Sequence, residues 1–351
     1  MTTSTSISYS HTVGSLSNQG RGFQNPMDVA LDSHGVMYVI NRAGPEMTLR
    51  LPYKRVSMCT VDQEYLGEFG TGGTAPGEFW WPSSLAFDSR DRLYVTDEAL
   101  NRITVFSNQG ELLNSWGEAG TDPGQLNRPS SIVFDAQDQI WLSDSGNNRV
   151  QKLTADGEFL AAWGEHGSGP GQFETPWGVA LDLQCQIYVS DWGNNRIQKF
   201  DPVGKYLDEF PRNGSVQPDP DQIHRPAGLA VDSEGNIYVA DWGNERVRVL
   251  AADGELLATL RGDSVTPQWA NDYFLANPEE GALRQEADLE PLLGTNIEPP
   301  EGQNQKESAR EESANIEKLF WGPTSVKLDG KGNILVVDSC RHRIQVYRNN
   351  G

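Results

Sequence analysis

Five aspartates in this sequence are each followed by an arginine five residues later, and both side-chain types can do chemistry. The pairs recur in stretches such as DWGNNRIQKF, residues 191–200, and DWGNERVRVL, residues 241–250. A carboxylate in a turn accepts backbone N–H groups and can also pair with a guanidinium. We therefore predict that each pair is a structural turn clamp. The pairs are Asp97–Arg102, Asp144–Arg149, Asp191–Arg196, Asp241–Arg246 and Asp338–Arg343.

Two further groups of side chains have functional chemistry. The candidates for acid–base or electrophilic catalysis are Arg128, Glu174, His224 and Arg225. The candidates for stacking on a ligand, or for hydrogen bonding to it, are Asp28, Trp80, Trp81, Asn127, Trp177, Trp269 and Trp321. The sequence shows no serine elbow and no cysteine with a matching histidine, so it offers no evident nucleophile.

The elements that position these residues form a repeat. Prolines open six copies, and a polar residue, which we call the anchor, follows each proline after fifteen residues. The prolines are Pro26, Pro82, Pro129, Pro176, Pro226 and Pro323, and the anchors are Asn41, Asp97, Asp144, Asp191, Asp241 and Asp338. Two successive anchor intervals are 47 residues, a period typical of propeller blades or helical arrays.

The residues within each copy favour β-strands. GLAVDSEGNIYVADWGNERVRVLAADGELLATLRG alternates short β-branched runs with polar turns and lacks helical spacing. Each copy therefore predicts a blade of four strands, a to d, that buries both faces only between two neighbours. The last copy stops at strand c, and ISYSHTVGSLSNQGRGF resembles a strand d with its connector. We predict an all-β six-bladed propeller in which the N-terminal strand closes the last blade.

The units RPAGLAVDSEGNIYVADWGNERV and TPWGVALDLQCQIYVSDWGNNRI resemble the NHL-repeat family of six-bladed β-propellers. The resemblance implies a binding face around the central channel. Some family members are peptide-amidating lyases with zinc-binding histidines at this face. Only His224 fits that pattern here, so the zinc activity is not implied. The other matching positions hold Gln24, Trp80, Asn127, Glu174 and Trp321.

Metal ligation is the weaker interpretation of the polar residues expected at the opening of the central channel. Asp28, Glu174 and His224 offer a loose oxygen-rich set that would suit Ca²⁺ in the channel. Asp219 and Asp221 lie near His224 in PDPDQIHRP, where a proline-punctuated loop is the favoured interpretation. We expect no metal and no cofactor, with channel Ca²⁺ as the alternative.

Two departures from the repeat lengthen the chain at one face. The first b–c loop, residues 41–55, has nine residues more than its equivalents, and residues 262–318 form an insertion between blades five and six. Since b–c loops and d–a connectors emerge on the same side, we expect one working face. The insertion has 13 acidic and 4 basic residues. A helical pattern surrounds Leu283, Ala287 and Leu289, and residues 294–313 predict a flexible linker.

Composition limits the classes of partner. A formal charge of -21 opposes binding to phosphate backbones, although NHL propellers with a basic face bind RNA. Cys59, Cys185 and Cys340 are far apart, as in a reducing compartment. The N-terminus lacks the pattern of a secretory signal, and no apolar run approaches eighteen residues. We predict a cytoplasmic protein without a membrane or nucleic-acid partner and leave its oligomeric state open.

The first functional hypothesis is a propeller that binds a protein, peptide or small ligand at the channel mouth. The alternative is a lyase- or hydrolase-like enzyme at the same mouth, and RNA binding ranks third because the chain is acidic.

Overall fold

The computed structural model describes residues 6–43, 53–211, 222–287 and 305–350. The strands in these ranges form six antiparallel sheets of four. Their innermost strands contact one another in a closed circle. This arrangement confirms the predicted six-bladed β-propeller.

Each blade runs from the inner strand a to the outer strand d. Blades one to three contain β2 (Pro26–Leu31), β3 (Met37–Asn41), β4 (Arg55–Cys59) and β5 (Tyr65–Phe69); β6 (Pro82–Phe87), β7 (Leu93–Asp97), β8 (Arg102–Phe106) and β9 (Leu112–Trp116); and β10 (Pro129–Phe134), β11 (Ile140–Asp144), β12 (Arg149–Leu153) and β13 (Phe159–Trp163).

Blades four and five contain β14 (Pro176–Leu181), β15 (Ile187–Asp191), β16 (Arg196–Phe200) and β17 (Tyr206–Phe210); and β18 (Pro226–Val231), β19 (Ile237–Asp241), β20 (Arg246–Leu250) and β21 (Leu256–Leu260). Blade six combines β22 (Pro323–Leu328), β23 (Asn333–Asp338) and β24 (Arg343–Asn349) with β1 (Ile7–Val13) from the start of the chain.

The core lies between blades rather than inside any one of them. Successive strand residues point to opposite faces, so each sheet offers an apolar surface to both neighbours. Ile40 and Val56 of blade one, for example, pack against Leu85 and Val95 of blade two. Equivalent clusters fill the other interfaces, and each buried Val, Leu or Ile contributes about 1.5–3 kcal/mol. A single blade therefore has no core of its own.

The N-terminal strand closes the ring as predicted. β1 pairs antiparallel with β24, from Ile7 opposite Asn349 to Val13 opposite Ile344. Val13 is fully buried in the core between blades six and one. The pairing covers the edge that β24 would otherwise expose.

The insertion leaves and rejoins the ring at one point, where the Phe320 N–H donates to the Arg261 carbonyl over 2.9 Å. It contains α1 (Gln268–Ala276), α2 (Pro278–Glu286) and α3 (Gln305–Asn315). Leu283 lies in α2, whereas Ala287 follows its end and Leu289 lies outside the described residues. The linker prediction is wrong from Gln305 onward, because α3 begins there.

Residues 44–52, which make up the extra length of the first b–c loop, lie outside the described residues. Across the part of the chain that is described, no helix combines the length and apolarity needed to span a membrane.

Candidate functional site

One end of the ring collects the b–c turns and the residues that precede the repeat prolines, and we call this end the mouth. Strand pairing places them together, because each proline lies opposite the anchor that ends strand b, as in Pro176 opposite Asp191. We call the four residues that end in each repeat proline a tetrad, for example FETP at residues 173–176, and the tetrads lead into the innermost strands at this end. The candidate residues Trp80, Trp81, Asn127, Arg128, Glu174, His224, Arg225 and Trp321 lie in these tetrads.

Four of the five clamps have the predicted ion pair. The arginine Nε lies 2.7–2.9 Å from the aspartate Oδ2 in Asp144–Arg149, Asp191–Arg196, Asp241–Arg246 and Asp338–Arg343. The four aspartates are fully buried. Each therefore needs the guanidinium and the turn N–H groups to offset its desolvation.

Blade two lacks this ion pair, so the prediction for Asp97–Arg102 is wrong. Asp97 accepts the N–H groups of Trp80, Trp81, Ala99 and Leu100. The turn reads DEALN instead of the DSGNN or DWGNN of blades three and four, and its backbone amides replace the guanidinium as the partners of the carboxylate. The Arg102 Nε has no hydrogen-bond partner among the described residues.

A set of inter-blade contacts at the mouth escaped sequence reasoning. The residue before each clamp arginine binds the tetrad of the next blade, and in blades two to four it is an asparagine. Asn101, Asn148 and Asn195 accept the N–H of Arg128, Thr175 and Arg225 over 2.8–2.9 Å. These three donors have φ of 50–56°, which turns their N–H toward the neighbouring blade. The recurring Asn-Arg dipeptide was the available signal.

Aromatic rings occupy the mouth at blades four and five. The ring centroids of Trp192 and Trp242 are 6.5 Å apart. The Arg225 guanidinium lies 4.6 Å from the Trp192 ring, and the Arg310 guanidinium lies 5.2 Å from the Trp242 ring. The half-buried Trp177 packs against the same interface as Trp242. The two rings are tilted by 44°, and aromatic faces beside cations suit a planar ligand that has an anionic group.

Charged side chains occupy the mouth at blades one to three. Glu98 lies 3.1 Å from Arg42 Nη2 and 3.3 Å from Arg128 Nη2, so one buried carboxylate serves two guanidinium groups. Burial lowers the pKa of Arg42 to about 10, and it raises the pKa of Glu98 against the attraction of both arginines. Arg42 also stacks on Trp81 at 4.5 Å. Lys54 and Asp97 also belong to this cluster, so three cations face two carboxylates, and this excess of positive charge suits an anionic ligand.

The comparisons with known proteins agree with the propeller fold. The family model of the NHL repeat matches residues 126–153, 173–200, 224–250 and 320–347, which are blades three to six. The chain is an NHL-repeat β-propeller. Blades one and two, which the family model does not match, supply Arg42 and Glu98 to the charged side of the mouth. No curated protein matches this NHL propeller.

Solved structures share its fold at low identity. A catalytically inactive virginiamycin B lyase from Staphylococcus aureus with quinupristin has a TM-score of 0.55 at 15% identity, covering 98% of this chain and 99% of that one. A streptogramin B lyase gives 0.53 at 10% identity, covering 98% of each chain. A Bacteroides thetaiotaomicron protein of unknown function gives 0.58 at 16% identity, covering 98% and 76%.

The candidate catalytic residues of the NHL propeller lie on neighbouring tetrads without a described contact between Glu174 and His224. The Glu174 side chain is exposed. The His224 Nδ1 lies 2.9 Å from the Asn195 Oδ1. Arg128 and Arg225 are both exposed, and Arg225 stacks on Trp192. A catalytic role for these four residues stays a prediction.

Three other candidates, Trp80, Trp321 and Asn127, lie at the mouth in contact with protein side chains. Lys54 lies 4.8 Å from the Trp80 ring and donates to the Trp80 carbonyl, and Arg341 lies 5.4 Å from the Trp321 ring. Asn127 donates its N–H to the clamp carboxylate of Asp144 over 2.6 Å. Their contact with a ligand stays a prediction.

Asp28 joins three blades instead of facing a ligand, which corrects its assignment to the mouth. Its Oδ2 accepts the Ser84 hydroxyl of blade two, and its Oδ1 accepts the Ser325 hydroxyl of blade six, both over 2.6 Å. Lys327 Nζ lies 3.4 Å from the same carboxylate. In the described ranges no group of three or more acidic, histidine or cysteine side chains could hold a metal ion. The proposed set of Asp28, Glu174 and His224 is therefore not assembled, and Asp219 and Asp221 lie outside the described residues.

The prediction that Trp269 lines the mouth is wrong. Trp269 is buried at the outer groove between blades six and one, where it packs against Phe23 and Tyr65. Its Nε1 donates to the Gln63 carbonyl over 2.6 Å, and Gln63 belongs to a c–d turn at the opposite end of blade one. The sequence could place the insertion between blades but not its course along them.

Glu245 replaces the bridging asparagine in blade five and binds α3. Its Oε1 pairs with Arg310 of α3 at 2.6 Å, and its Oε2 accepts the Gly322 N–H of the next tetrad. Arg341 donates to the carbonyls of Ser313 and Ala314 near the end of the same helix. Polar contacts thus hold α3 against the b–c turns of blades five and six. Its placement over a working face stays a prediction.

Glu245 gives the NHL propeller a pH-dependent stability. Burial raises the pKa of Glu245 to about 7, well above its value in an unfolded chain. Between about pH 4.5 and 7 the folded chain retains a proton that the unfolded chain has lost, so the free energy of unfolding falls as the pH rises, by up to about 3 kcal/mol. We expect Glu245→Gln to abolish this fall in urea unfolding at pH 5–8. The exposed Glu174→Gln is the control, and parallel profiles for the wild type and Glu245→Gln would contradict the assignment.

Proposed function

We propose that this protein binds, at the mouth of its propeller, a ligand that joins a planar ring to an anionic group. The observation that carries the proposal is the division of the mouth. The Trp192–Trp242 pair lies at blades four and five, and the Arg42–Glu98–Arg128 cluster lies at blades one to three. Rings supply area for stacking, and guanidinium groups pair with carboxylates or phosphates.

The electrostatics of the mouth differ from those of the whole chain, which supports the proposal. The chain has a formal charge of -21, yet Arg128 and Arg225 are exposed at the mouth. Arg42, Lys54 and Arg128 face the two carboxylates Glu98 and Asp97, so one positive charge is left uncompensated. An anion that reaches Arg128 would replace water at a group already partly desolvated by the protein, where a charge pair is stronger than in bulk water.

The ligand chemistry could belong to a free small molecule or to a peptide, and a binding experiment can separate them. Indole-3-propionate, its neutral amide and the peptide acetyl-Trp-Glu-amide would be titrated into the protein by calorimetry. We expect the two anions to bind and Trp192→Ala or Arg128→Ala to weaken them about tenfold, the loss of about 1.4 kcal/mol. Tighter binding of the peptide than of the free acid would indicate a peptide ligand.

Arg90→Ala provides the matched control for Arg128→Ala. Arg90 is also exposed, but it lies in an a–b turn at the other end of the blade. Equal binding of the neutral amide, or equal losses in the Arg90 and Arg128 variants, would refute an anion site at the mouth.

An enzyme at the same mouth is the alternative, because two of the structures with this fold are lyases. A shared fold at 10–15% identity does not transfer an activity. Glu174 is exposed and makes no described contact with His224, so this pair does not support the alternative. Ligand binding therefore comes first.

A further inference from the structure

The helical hairpin of α1 and α2 exposes large apolar side chains on the outer rim of the propeller. Leu275 is 82% exposed, Leu283 67% and Val265 61%. Elsewhere such residues lie mostly on outer strands or in turns of separate blades, as Leu160 and Leu207 do. A concentration of apolar surface with a polar border is typical of a docking site.

A groove runs beside these side chains. It has a volume of about 850 Å³, and Val265, Phe274, Leu275, Pro278 and Ala282 supply its apolar lining. Its other wall is the returning chain at residues 317–318, just before the stem of the insertion. The groove therefore lies between the helix pair on one side and the returning chain on the other.

The groove is held in shape before any partner binds. Trp269 of α1 is buried against blades six and one, and the Gln268 N–H donates to Gln63 Oε1 over 2.9 Å. Arg284 of α2 pairs with Glu317 at 2.7 Å and stacks on Phe274 at 5.4 Å. A preformed groove lowers the ordering cost of association.

The border of the groove is acidic. Asp272, Glu279, Glu280 and Glu286 are exposed on α1 and α2. Arg284 is paired with Glu317, and Arg21 is paired with Asp272 at 3.4 Å. Lys318 also lines the groove, so the acidic side chains remain in excess through Glu279, Glu280 and Glu286. This border repels anionic lipid and nucleic acid and attracts cationic side chains.

We propose that the α1–α2 groove docks an amphipathic helix with a basic face from a partner protein. The apolar face of that helix lies on Val265, Phe274 and Leu275, and its lysines or arginines face Glu279 and Glu280. Helices dock into apolar grooves through side chains spaced three or four residues apart, and a groove lined by Val265, Phe274 and Leu275 offers apolar contacts for such side chains. This surface is separate from the mouth, so the proposal does not depend on the proposed ligand.

A labelled helical Leu/Lys peptide of about 14 residues tests the proposal by fluorescence anisotropy. We expect the wild type to bind it, and Leu275→Ser or the double variant Glu279→Lys/Glu280→Lys to weaken binding about tenfold or more. Val203→Ser is the matched control, since Val203 is 85% exposed in a turn of blade four. Trp192→Ala, which removes a ring from the mouth, should bind the peptide like the wild type.

Three results would overturn the proposal. The first is equal peptide affinity in the Leu275→Ser and Val203→Ser variants, or equal binding of a Leu/Glu peptide. The second is a wild-type dimer in light scattering that Leu275→Ser converts to a monomer, which would identify a second copy as the occupant. The third is a tenfold gain in affinity when residues 288–304 are replaced by a Gly/Ser linker, which would identify this chain's own segment.

Discussion

A chain without residues 6–13 is expected to lose its cooperative fold and to be recovered mainly as aggregate. These residues supply β1, and β1 is the outer strand of blade six. Its loss removes Val13 from the core between blades six and one and leaves the outer edge of β24 unpaired. We expect a loss of more than about 5 kcal/mol, a large part of the stability of an ordinary domain. Thermal unfolding by circular dichroism and gel filtration would measure it.

A circular permutant separates the loss of the strand from the loss of the covalent connection. Ile7 lies opposite Asn349, and the Asn350 N–H donates to the Ser6 carbonyl over 2.9 Å. Residues 6–13 can therefore follow residue 351 directly, with Asn350, Gly351 and Ser6 as a three-residue hairpin loop between Asn349 and Ile7. We expect this permutant to fold. A truncated chain that unfolds at the same temperature as the wild type would show that β1 does not close the ring.

Replacement of one clamp arginine by alanine is expected to destabilise the protein far more in blade four than in blade two. Arg196 pairs with Asp191 at 2.9 Å and donates to the Gly169 and Gln172 carbonyls. Arg196→Ala leaves a fully buried carboxylate without its guanidinium, at a cost of about 3–5 kcal/mol. Arg102 binds carbonyls only, so Arg102→Ala should cost about 1–2 kcal/mol.

A double-mutant cycle in blade four checks the cause of this difference. Asp191→Asn removes the charge but keeps an oxygen for the Glu174 N–H, which Asp191 Oδ1 accepts over 2.7 Å. If the uncompensated charge causes the loss, Arg196→Ala should cost less in the Asp191→Asn background, as urea unfolding would show. Arg196 also pairs with the buried Glu209 at 2.7 Å, so equal losses in both backgrounds would show that the Asp191 charge does not cause the effect. Equal losses for the Arg196 and Arg102 variants would contradict the expected difference between blades.

One polar contact at the mouth recurs in three blades, and the residues at the same position in two other blades make different contacts. The asparagines before the clamp arginines join successive blades, because each side chain accepts a backbone N–H from the tetrad of the next blade. Lys54 and Glu245 occupy the same position in blades one and five. Lys54 donates to the Trp80 carbonyl, and Glu245 accepts the Gly322 N–H and also pairs with Arg310 of α3. Departures from the repeat thus mark the places at which the mouth differs from a symmetrical ring.

The repeat determined the number of blades, the pairing of β1 with β24 and four of the five clamp ion pairs. These features depend on residues within one copy or on the number of copies. Both can be predicted from the amino-acid sequence. The same reasoning failed for Asp97–Arg102, because the backbone of the DEALN turn competes for the carboxylate. It also failed for the segment from Gln305, where α3 is held by Glu245 and Arg341 rather than by an apolar face of its own.

Only the tertiary structure decided which side chains of different blades meet. Arg42, Glu98 and Arg128 come from three blades and form one cluster, whereas Glu174 and His224 on adjacent blades do not meet. Asp28 was predicted at the mouth and is used between blades, and Trp269 was predicted there and is buried on the outer rim. The repeat encodes the hydrogen bonding and packing inside a blade. The angle between blades, and the course of a chain that leaves them, depend on the balance of packing over the whole ring.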